Sequence, residues 1–445
     1  MKKAIVGNRI LVDGALRSGC ILFEDGKILE VPEHLPDGFN GPVTSAGRWI
    51  VMPGLVDTHV HINEPGRTDW EGFQTATQSA AAGGITTLAD MPLNCLPVTT
   101  TAEAFAAKRE AVAGQLWVDC GFWGGVVPNS VPALHELLEA GVCGVKSFLI
   151  DSGIPEFPAM TEPDLRQAMA VLRDFQVPYL IHAELAPENG ETPKIGRQYK
   201  SFLASRPRAW ENRAIEMMIR LCRDIPTPIH IVHLSSAEGV PRIAEAKSEG
   251  VPVTVETCPH YLTFEAESIP DGKTLFKCCP PIREHANREA LWRGLEEGHI
   301  DCIVSDHSPC TPNLKDLDGG DFDKAWGGIS SLQFGLPLVW TQAKERGFPI
   351  AKLAEWMCET PARLMGFGHR KGRIAPGMDA DFVIWDHEAK FTIEPEMIYH
   401  KHRITPYRGR EVFGRVVHTI LGGENVFGPV GISGDPLGKV LLRSH

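Results

Sequence analysis

The sequence lacks three features that would each place it in a special class of protein. Its 11 cysteines include no Cys-x-x-Cys pair, which speaks against a disulfide framework and against a cysteine-type zinc knuckle. No window approaches the roughly 18 uncharged apolar residues of a membrane span, and no long apolar run follows Lys2 and Lys3 to form a signal peptide. We therefore expect a protein of a reducing compartment, the cytoplasm, without a membrane partner.

Positive charge is also scarce. The 445 residues carry a formal net charge of -12, and no cluster of lysine and arginine offsets it. This balance disfavours nucleic acid and anionic membranes as partners, and it says nothing about small substrates. The composition is otherwise that of an ordinary globular protein, 43% hydrophobic and 22% charged, and the length suits one large barrel or two to three domains.

Short apolar strand candidates alternate with amphipathic helical runs along the middle of the chain. The strand candidates lie near 54–59, 86–91, 118–125, 142–148, 178–182, 228–234, 252–257 and 301–305. This alternation indicates βαβ units and a parallel sheet, and eight strands over about 250–300 residues are typical of an α/β fold of the (β/α)8 TIM-barrel type. A doubly wound open sheet is the alternative, but no glycine-rich phosphate turn follows any strand.

Both ends of the chain have strand character. Residues 1–51 contain several short strand candidates, with Asp25-Gly26 as a hairpin turn, and the pattern returns after residue 371. We predict that 1–51 and 371–445 pair into one small β-sandwich-like domain and that the barrel occupies 52–370. The last stretch, 426–445, is rich in glycine and proline and is predicted to be irregular.

Polar side chains close several of the predicted barrel strands. His59 and His61 share one face of the first strand because strand side chains alternate, and two imidazoles are half a metal site. His182, His233 and Asp306 end three later strands, and the C-terminal ends of barrel strands converge on one mouth. A polar residue at the end of one strand usually just contacts solvent. Polar residues at the ends of several strands that meet at one mouth favour a functional site.

Lys146 is unusual because it lies inside an apolar strand, the fourth. A buried ammonium without a partner costs several kcal/mol or loses its proton, and an ammonium cannot ligate a metal. The alternative is a lysine that is salt-bridged or that extends its ammonium to the surface.

The whole pattern resembles the amidohydrolase superfamily, and within it the cyclic amidases: dihydroorotases, hydantoinases and allantoinases. The resemblance covers nearly the whole chain, including Pro-Gly-Leu-Val-Asp-Thr-His-Val-His at 53–61 and Gly-Arg-Ile-Ala-Pro-Gly-Met-Asp-Ala-Asp at 372–381. It implies two divalent metal ions, zinc or alternatively cobalt, manganese or iron, bridged by a carbamate formed on Lys146. The other implied ligands are His59, His61 and Asp306 on one ion, and His182 and His233 on the other.

The resemblance also implies the chemistry. Two divalent ions lower the pKa of water, so that a hydroxide is available near neutral pH. Asp306 would take the proton and pass it to the leaving nitrogen, without any serine or cysteine nucleophile. A homo-oligomer, commonly a tetramer, is a further implication of the family.

Two positions favour a neutral ring as the substrate. Dihydroorotases carry an arginine two residues after the second histidine, where this chain has Asn63 and so lacks a guanidinium fork for a carboxylate. Asn63 also differs from the serine expected in a bacterial allantoinase. Hydantoinases typically carry a tyrosine five residues after the carbamylated lysine, where this chain has Asp151.

Five segments are most similar to allantoinases, which open the neutral hydantoin ring of allantoin to give allantoate. The segments are 64–72, 91–94, 277–283, 305–310 and 324–329. By that resemblance the substrate pocket is lined by Asn63, Asn94, Cys278, Cys279 and Ser308. Each has an alternative explanation: Asn94 could cap a turn, and the two cysteines could be small core residues. A hydantoinase or dihydropyrimidinase is the alternative function, and an inactive scaffold of the same fold is disfavoured because all six ligand positions are filled.

Replacing Asp306 with Asn or Ala tests its predicted role as the base. We expect turnover to fall by about 100-fold or more, because general acid–base catalysis is lost, while the bound metal is largely retained. Steady-state kinetics and metal analysis of the same preparations provide the two readouts. Near-normal activity in either variant would remove Asp306 from the proton-transfer step.

Overall fold

The computed structural model describes residues 1–187 and 194–444. Four strands precede the barrel: β1 Lys3–Val12, β2 Ala15–Glu24, β3 Lys27–Glu30 and β4 Val43–Pro53. Asp25 and Gly26, between β2 and β3, have φ of 50° and 76°, the two positive angles typical of a tight type I′ hairpin. The hairpin predicted at this dipeptide is confirmed.

The barrel contains eight parallel strands. They are β5 Leu55–Val60, β6 Ile85–Asp90, β7 Asp119–Phe122 continued by β8 Gly124–Gly125, β9 Val145–Phe148, β10 Tyr179–His182, β11 Ile229–Ile231, β12 Val253–Thr257 and β13 Cys302–Ile303. The amide of His61 donates to the carbonyl of His307 at 2.8 Å, which joins the last strand to the first and closes the ring. The predicted (β/α)8 barrel is confirmed.

Helices surround the barrel. They are α1 Phe73–Ala82, α2 Ala102–Ala111, α3 Leu134–Glu139, α4 Glu162–Phe175, α5 Tyr199–Ser205, α6 Arg208–Asp224, α7 Val240–Ser248, α8 Pro259–Thr263, α9 His285–Glu296, α10 Gly335–Glu345, α11 Ile350–Ala354 and α12 Thr360–Leu364. Thr161 caps α4 in a capping box with Asp164, so that the amides of the first turn find acceptors. Within the described residues, none of the helices has both the length and the apolar character that crossing a membrane requires.

The two ends of the chain form one eight-stranded sheet. The C-terminal strands are β14 Phe382–Thr392, β15 Glu411–Leu421, β16 Glu424–Gly428 and β17 Gly431–Ile432, and the order is β17-β16-β15-β14-β4-β1-β2-β3. The pairing of the N- and C-terminal segments is made by antiparallel β14 and β4. The divisions at residues 51 and 371 stay predictions.

The prediction of an irregular C-terminal stretch was wrong at β16 and β17, whereas residues 433–444 contain no helix and only an isolated bridge. Strands β16 and β17 extend the sheet, and the chain then returns to the barrel, where the amide of Leu441 donates to the carbonyl of Cys120 at 2.8 Å. The Leu441 side chain is buried. The glycine- and proline-rich sequence contains no signal for the two strands or for the return to the barrel. These segments are ordered by contacts with residues distant in sequence rather than by local propensity.

A buried ion cluster ties the sheet to the barrel. The ammonium of Lys371 lies 2.6 Å from Asp119 of β7, 2.5 Å from Asp381 and 3.0 Å from Asp379. All four side chains are buried. Burial works against the ammonium, but the carboxylates, Asp381 foremost, offset it and raise the pKa of Lys371. The lysine therefore neutralises a set of carboxylates that would otherwise repel one another.

Replacing Lys371 with Met tests this cluster. We expect a loss of about 3–5 kcal/mol in the free energy of unfolding, because the variant leaves buried carboxylates unpaired. Urea-induced unfolding followed by fluorescence measures it. The control is Lys390→Met, which removes a half-exposed ion pair with Glu411 and is expected to cost less than about 1 kcal/mol. Equal losses in the two variants would contradict a special role for Lys371.

Candidate active site

A cavity of about 500 Å³ opens at the C-terminal mouth of the barrel, and five of the six predicted ligands line it: His61, Lys146, His182, His233 and Asp306. His59 is fully buried beside them. The mouth therefore brings together the side chains that the sequence distributes over strands β5, β9 and β10 and over the residues that follow β11 and β13. This is the end of the barrel at which such folds place their active sites.

Left-handed backbone is concentrated at this mouth. His233 and Asp306 have φ of 40° and 43°, and Asn63 and Asn94 have φ of 68° and 69°. A side-chain-bearing residue rarely adopts such angles, and each instance stores strain that clusters at functional sites. The chain turns abruptly after β11 and β13, and this turn positions His233 and Asp306 at the cavity wall.

His59, His61 and Asp306 form a group that could hold a metal ion. One ligand atom from each lies within 4.8 Å of the others, with Asp306 Oδ1 3.2 Å from His59 Nε2 and 3.8 Å from His61 Nε2. Burial, and after it the charge of Lys146, lowers the pKa of both histidines. The imidazoles therefore stay neutral and keep a lone pair that can bind a metal ion.

His182 and His233 lie next to each other at the same mouth. Their rings are 4.6 Å apart, and the ring of His233 lies 5.3 Å from that of His59. His182 Nε2 contacts Glu184 Oε2 at 2.8 Å, so its Nδ1 is the ring nitrogen left for another partner. Burial lowers the pKa of both histidines, which again favours the neutral form.

Lys146 differs from Lys108 and Lys371, two buried lysines that contact carboxylates. Its Nζ lies 3.0 Å from His59 Nε2, and no carboxylate of the described residues lies within ion-pair distance. Burial lowers the pKa of Lys146. Lys108, by contrast, lies 2.5 Å from Asp90; burial works against its ammonium, but Asp90 offsets this and raises the pKa of Lys108.

Glu256 was not anticipated from the sequence. It lies on β12, and its Oε1 accepts from His59 Nδ1 at 2.5 Å while its Oε2 lies 3.0 Å from His230 Nε2. This contact holds His59 in the tautomer whose Nε2 lone pair points to the cluster. The sequence did contain a sign of this role: Glu256 is a charged residue inside the otherwise uncharged strand Val253–Thr257. Lys146 was singled out because it, too, is a charged residue inside a strand.

The predicted substrate-contacting residues separate into two groups. Asn94, Cys279 and Ser308 line the cavity. Asn63 and Cys278 are buried and are not part of its wall, and Asn63 Nδ2 instead donates to the carbonyl of Pro309 at 3.3 Å. Asn94 Oδ1 is buried without a hydrogen-bond partner among the described residues, which makes it an acceptor available to a ligand.

Comparison with known proteins agrees with this site. Residues 50–426 match the family model described as the amidohydrolase family. The chain is 46% identical to an allantoinase of Saccharomyces cerevisiae, over 99% of each chain, and 46% identical to one of Streptomyces avermitilis, over 98% of this chain and 97% of that one. Among solved structures it is similar to an L-hydantoinase (dihydropyrimidinase) from Arthrobacter aurescens, with a TM-score of 0.93, 29% identity and 99% coverage of each chain.

The chain therefore belongs to the amidohydrolase family, and the resemblance identified from its sequence is confirmed. Membership implies a binuclear metal site, and the mouth of the barrel supplies candidate ligands in the required number and chemistry. The donor set fits such a site, because it combines neutral imidazoles with one carboxylate and one lysine that has no ion-pair partner among the described residues.

Glu256→Gln tests the support of His59. The amide preserves the shape of the side chain but removes the negative acceptor, so we expect metal affinity to fall by about 10- to 100-fold. Calorimetric titration of the metal-free protein with zinc measures the affinity. Glu296→Gln, on the exposed face of α9, is the control and should bind as the unaltered protein does. An unchanged affinity in the Glu256 variant would refute the positioning role.

Proposed function

We propose that this protein is a metal-dependent hydrolase that opens the hydantoin ring of allantoin to give allantoate. The observation that carries the proposal is the 46% identity, over nearly the full length of both chains, to relatives named allantoinase. The cavity at the barrel mouth supports it, since the space of about 500 Å³ suits a small polar ring and its substituent.

The proposed metal ligands are the six side chains at the mouth. His59, His61 and Asp306 would hold one divalent ion, His182 and His233 the other, and Lys146 as a carbamate would bridge them. When bound, the ions would lower the pKa of water and polarise the carbonyl that is attacked. We propose zinc, although imidazole and oxygen donors also suit cobalt, manganese and iron.

Carbamylation of Lys146 would resolve its electrostatic problem. A neutral amine is the form that adds to carbon dioxide, and burial favours that form by lowering the pKa of Lys146. The product is an anion that needs neighbouring positive charge, which metal ions would provide. Lys108 has Asp90 as its partner and so has no comparable reason to react.

Asp306 is the proposed proton carrier. Its carboxylate lines the cavity and lies next to His59, and burial raises the pKa of Asp306. From that position it would take a proton from the attacking water and give it to the ring nitrogen that leaves. Burial raises the pKa of the Cys279 thiol, which leaves it protonated and a poor nucleophile.

The cavity wall favours a neutral ring. Asn63, where dihydroorotases carry arginine, supplies no guanidinium, and the unpartnered Oδ1 of Asn94 can accept a ring N–H. We propose Asn94, Cys279 and Ser308 as substrate contacts, because all three line the cavity. Asn63 and Cys278 lie behind that wall and would act on the substrate through their neighbours.

A hydantoinase or dihydropyrimidinase is the second candidate. The similarity to the L-hydantoinase structure favours it, but the identity is 29%, against 46% for the relatives named allantoinase. Asp151, at the position where hydantoinases are expected to carry tyrosine, lines the cavity and is exposed, so it offers no phenolic donor. A homotetramer and a cytoplasmic location stay predictions from the resemblance and the composition.

The first experiment measures hydrolysis of allantoin, dihydroorotate, dihydrouracil and hydantoin side by side. The metal-free protein is reconstituted with zinc, once with bicarbonate and once in buffer freed of carbon dioxide. We expect allantoin to be the preferred substrate, and we expect activity and metal content to be lower without bicarbonate because Lys146 then stays an amine. The Lys390→Met variant, which alters a half-exposed lysine, is reconstituted in the same way as the control and should keep its dependence on bicarbonate.

Each part of this experiment has a result that would contradict the proposal. Faster hydrolysis of dihydrouracil or hydantoin would replace the substrate assignment with that of a dihydropyrimidinase or hydantoinase. Full metal content and full activity without bicarbonate would refute the carbamate. Two bound metal ions with no turnover of any ring would favour the inactive scaffold.

A further inference from the structure

Arg206 is a cation of the cavity wall for which neither the sequence pattern nor the proposed chemistry accounts. It lies at the junction of α5 and α6, directly before Pro207, and 22% of its side chain is exposed. Its Nη1 donates to Glu184 Oε2 at 2.5 Å. Its Nε and Nη2 have no hydrogen-bond partner among residues 1–187 and 194–444, so these donors remain available to a ligand.

The position of Arg206 is fixed by buried groups. Its backbone carbonyl accepts from both terminal nitrogens of Arg283 at 3.3 Å, and Arg283 is held by a buried ion pair with Glu211 at 2.5 Å. Glu184 is fully buried. The guanidinium is therefore held in place before any ligand enters, which lowers the entropy cost of binding to it.

The other cations of the wall are placed differently. The ammonium of Lys277 already donates to the carbonyls of Ala325 at 2.5 Å and Asp323 at 3.4 Å. Lys324 is exposed at the rim, where a flexible ammonium is well solvated. Within the described part of the chain, Arg206 is thus the anchored cation of this cavity that keeps unused donors.

Glu184 connects Arg206 to the candidate metal ligands. The same oxygen, Oε2, accepts from Arg206 Nη1 at 2.5 Å and lies 2.8 Å from His182 Nε2. A ring whose carbonyl is attacked beside His59 and Asp306 would extend its substituent into the remaining cavity, which Arg206 lines. The position of the guanidinium relative to His182 is consequently set by two contacts to one buried carboxylate.

We propose that Arg206 determines specificity by binding the carbonyl oxygen of the ureido substituent of the substrate. This assignment rests on the proposed function, since allantoin is a hydantoin that carries such a substituent. The planar guanidinium offers parallel N–H groups that suit one carbonyl oxygen. The group recognised is neutral, so Arg206 selects for the substituent without requiring an anionic ring.

The test compares Arg206→Met and Arg206→Lys on two substrates, allantoin and the unsubstituted hydantoin. Loss of hydrogen bonds from a charged donor is expected to lower kcat/KM for allantoin by about 10- to 100-fold in the Met variant. The Lys variant should fall between the Met variant and the unaltered protein, because it keeps the charge but not the fork. For hydantoin, which has no ureido group, kcat/KM should fall by a smaller factor than for allantoin, because only the contact between Arg206 and Glu184 is lost.

Three controls separate a specificity role from a structural one. Zinc content is measured for each variant, hydantoin is also assayed as a competitive inhibitor in case its turnover is slow, and Arg220→Met changes an exposed arginine of α6. Equal losses on both substrates, or loss of zinc, would show that Arg206 only supports Glu184 and His182 and would overturn the proposal. An unaltered protein that neither binds nor hydrolyses allantoin would overturn both this assignment and the proposed function.

Discussion

The site depends on a lysine that is buried among imidazoles with no carboxylate in ion-pair reach among the described residues. The same chain shows how it stabilises other buried lysines: Lys108 has Asp90, and Lys371 has three carboxylates. Both of these lysines are compensated by carboxylates, and Lys146 has no such partner among the described residues. Because a buried ammonium without an ion-pair partner costs several kcal/mol, burial lowers the pKa of Lys146, and the charges of Asp306 and Glu256 offset this only in part.

The buried carboxylates around this lysine have distinct tasks. Glu256 orients His59, and Glu184 contacts His182, so each side of the cluster has one supporting carboxylate. Asp57 accepts from the amides of His59 and Ser305 at 3.1–3.2 Å, which joins the first barrel strand to the last beside the site. The candidate ligands are therefore held by rigid strands and short hydrogen bonds, the arrangement that a metal site with fixed geometry requires.

The barrel and the six polar side chains at its mouth could be predicted because both depend on local pattern. Apolar runs and turn residues mark strands, and the C-terminal ends of parallel strands meet at one mouth. The remainder depends on contacts that local pattern does not encode. The left-handed turns at His233 and Asp306 follow from loop closure, and Cys278 and Cys279 face different environments although they are adjacent. The C-terminal return to β7 was hidden because its partners are about 320 residues away in the chain.

The distribution of charge in the cavity bears on which ring the site accepts. Asn63 lies behind the cavity wall and supplies no guanidinium to a carboxylate on the ring. In this chain the anchored guanidinium is instead Arg206, on the side of His182 that faces Glu184. Glu184 already neutralises part of its charge, so what Arg206 offers a ligand is directional N–H groups more than a net positive field. A cavity of this kind discriminates by hydrogen-bond geometry at the substituent, and a neutral ureide meets that requirement without an ionic partner.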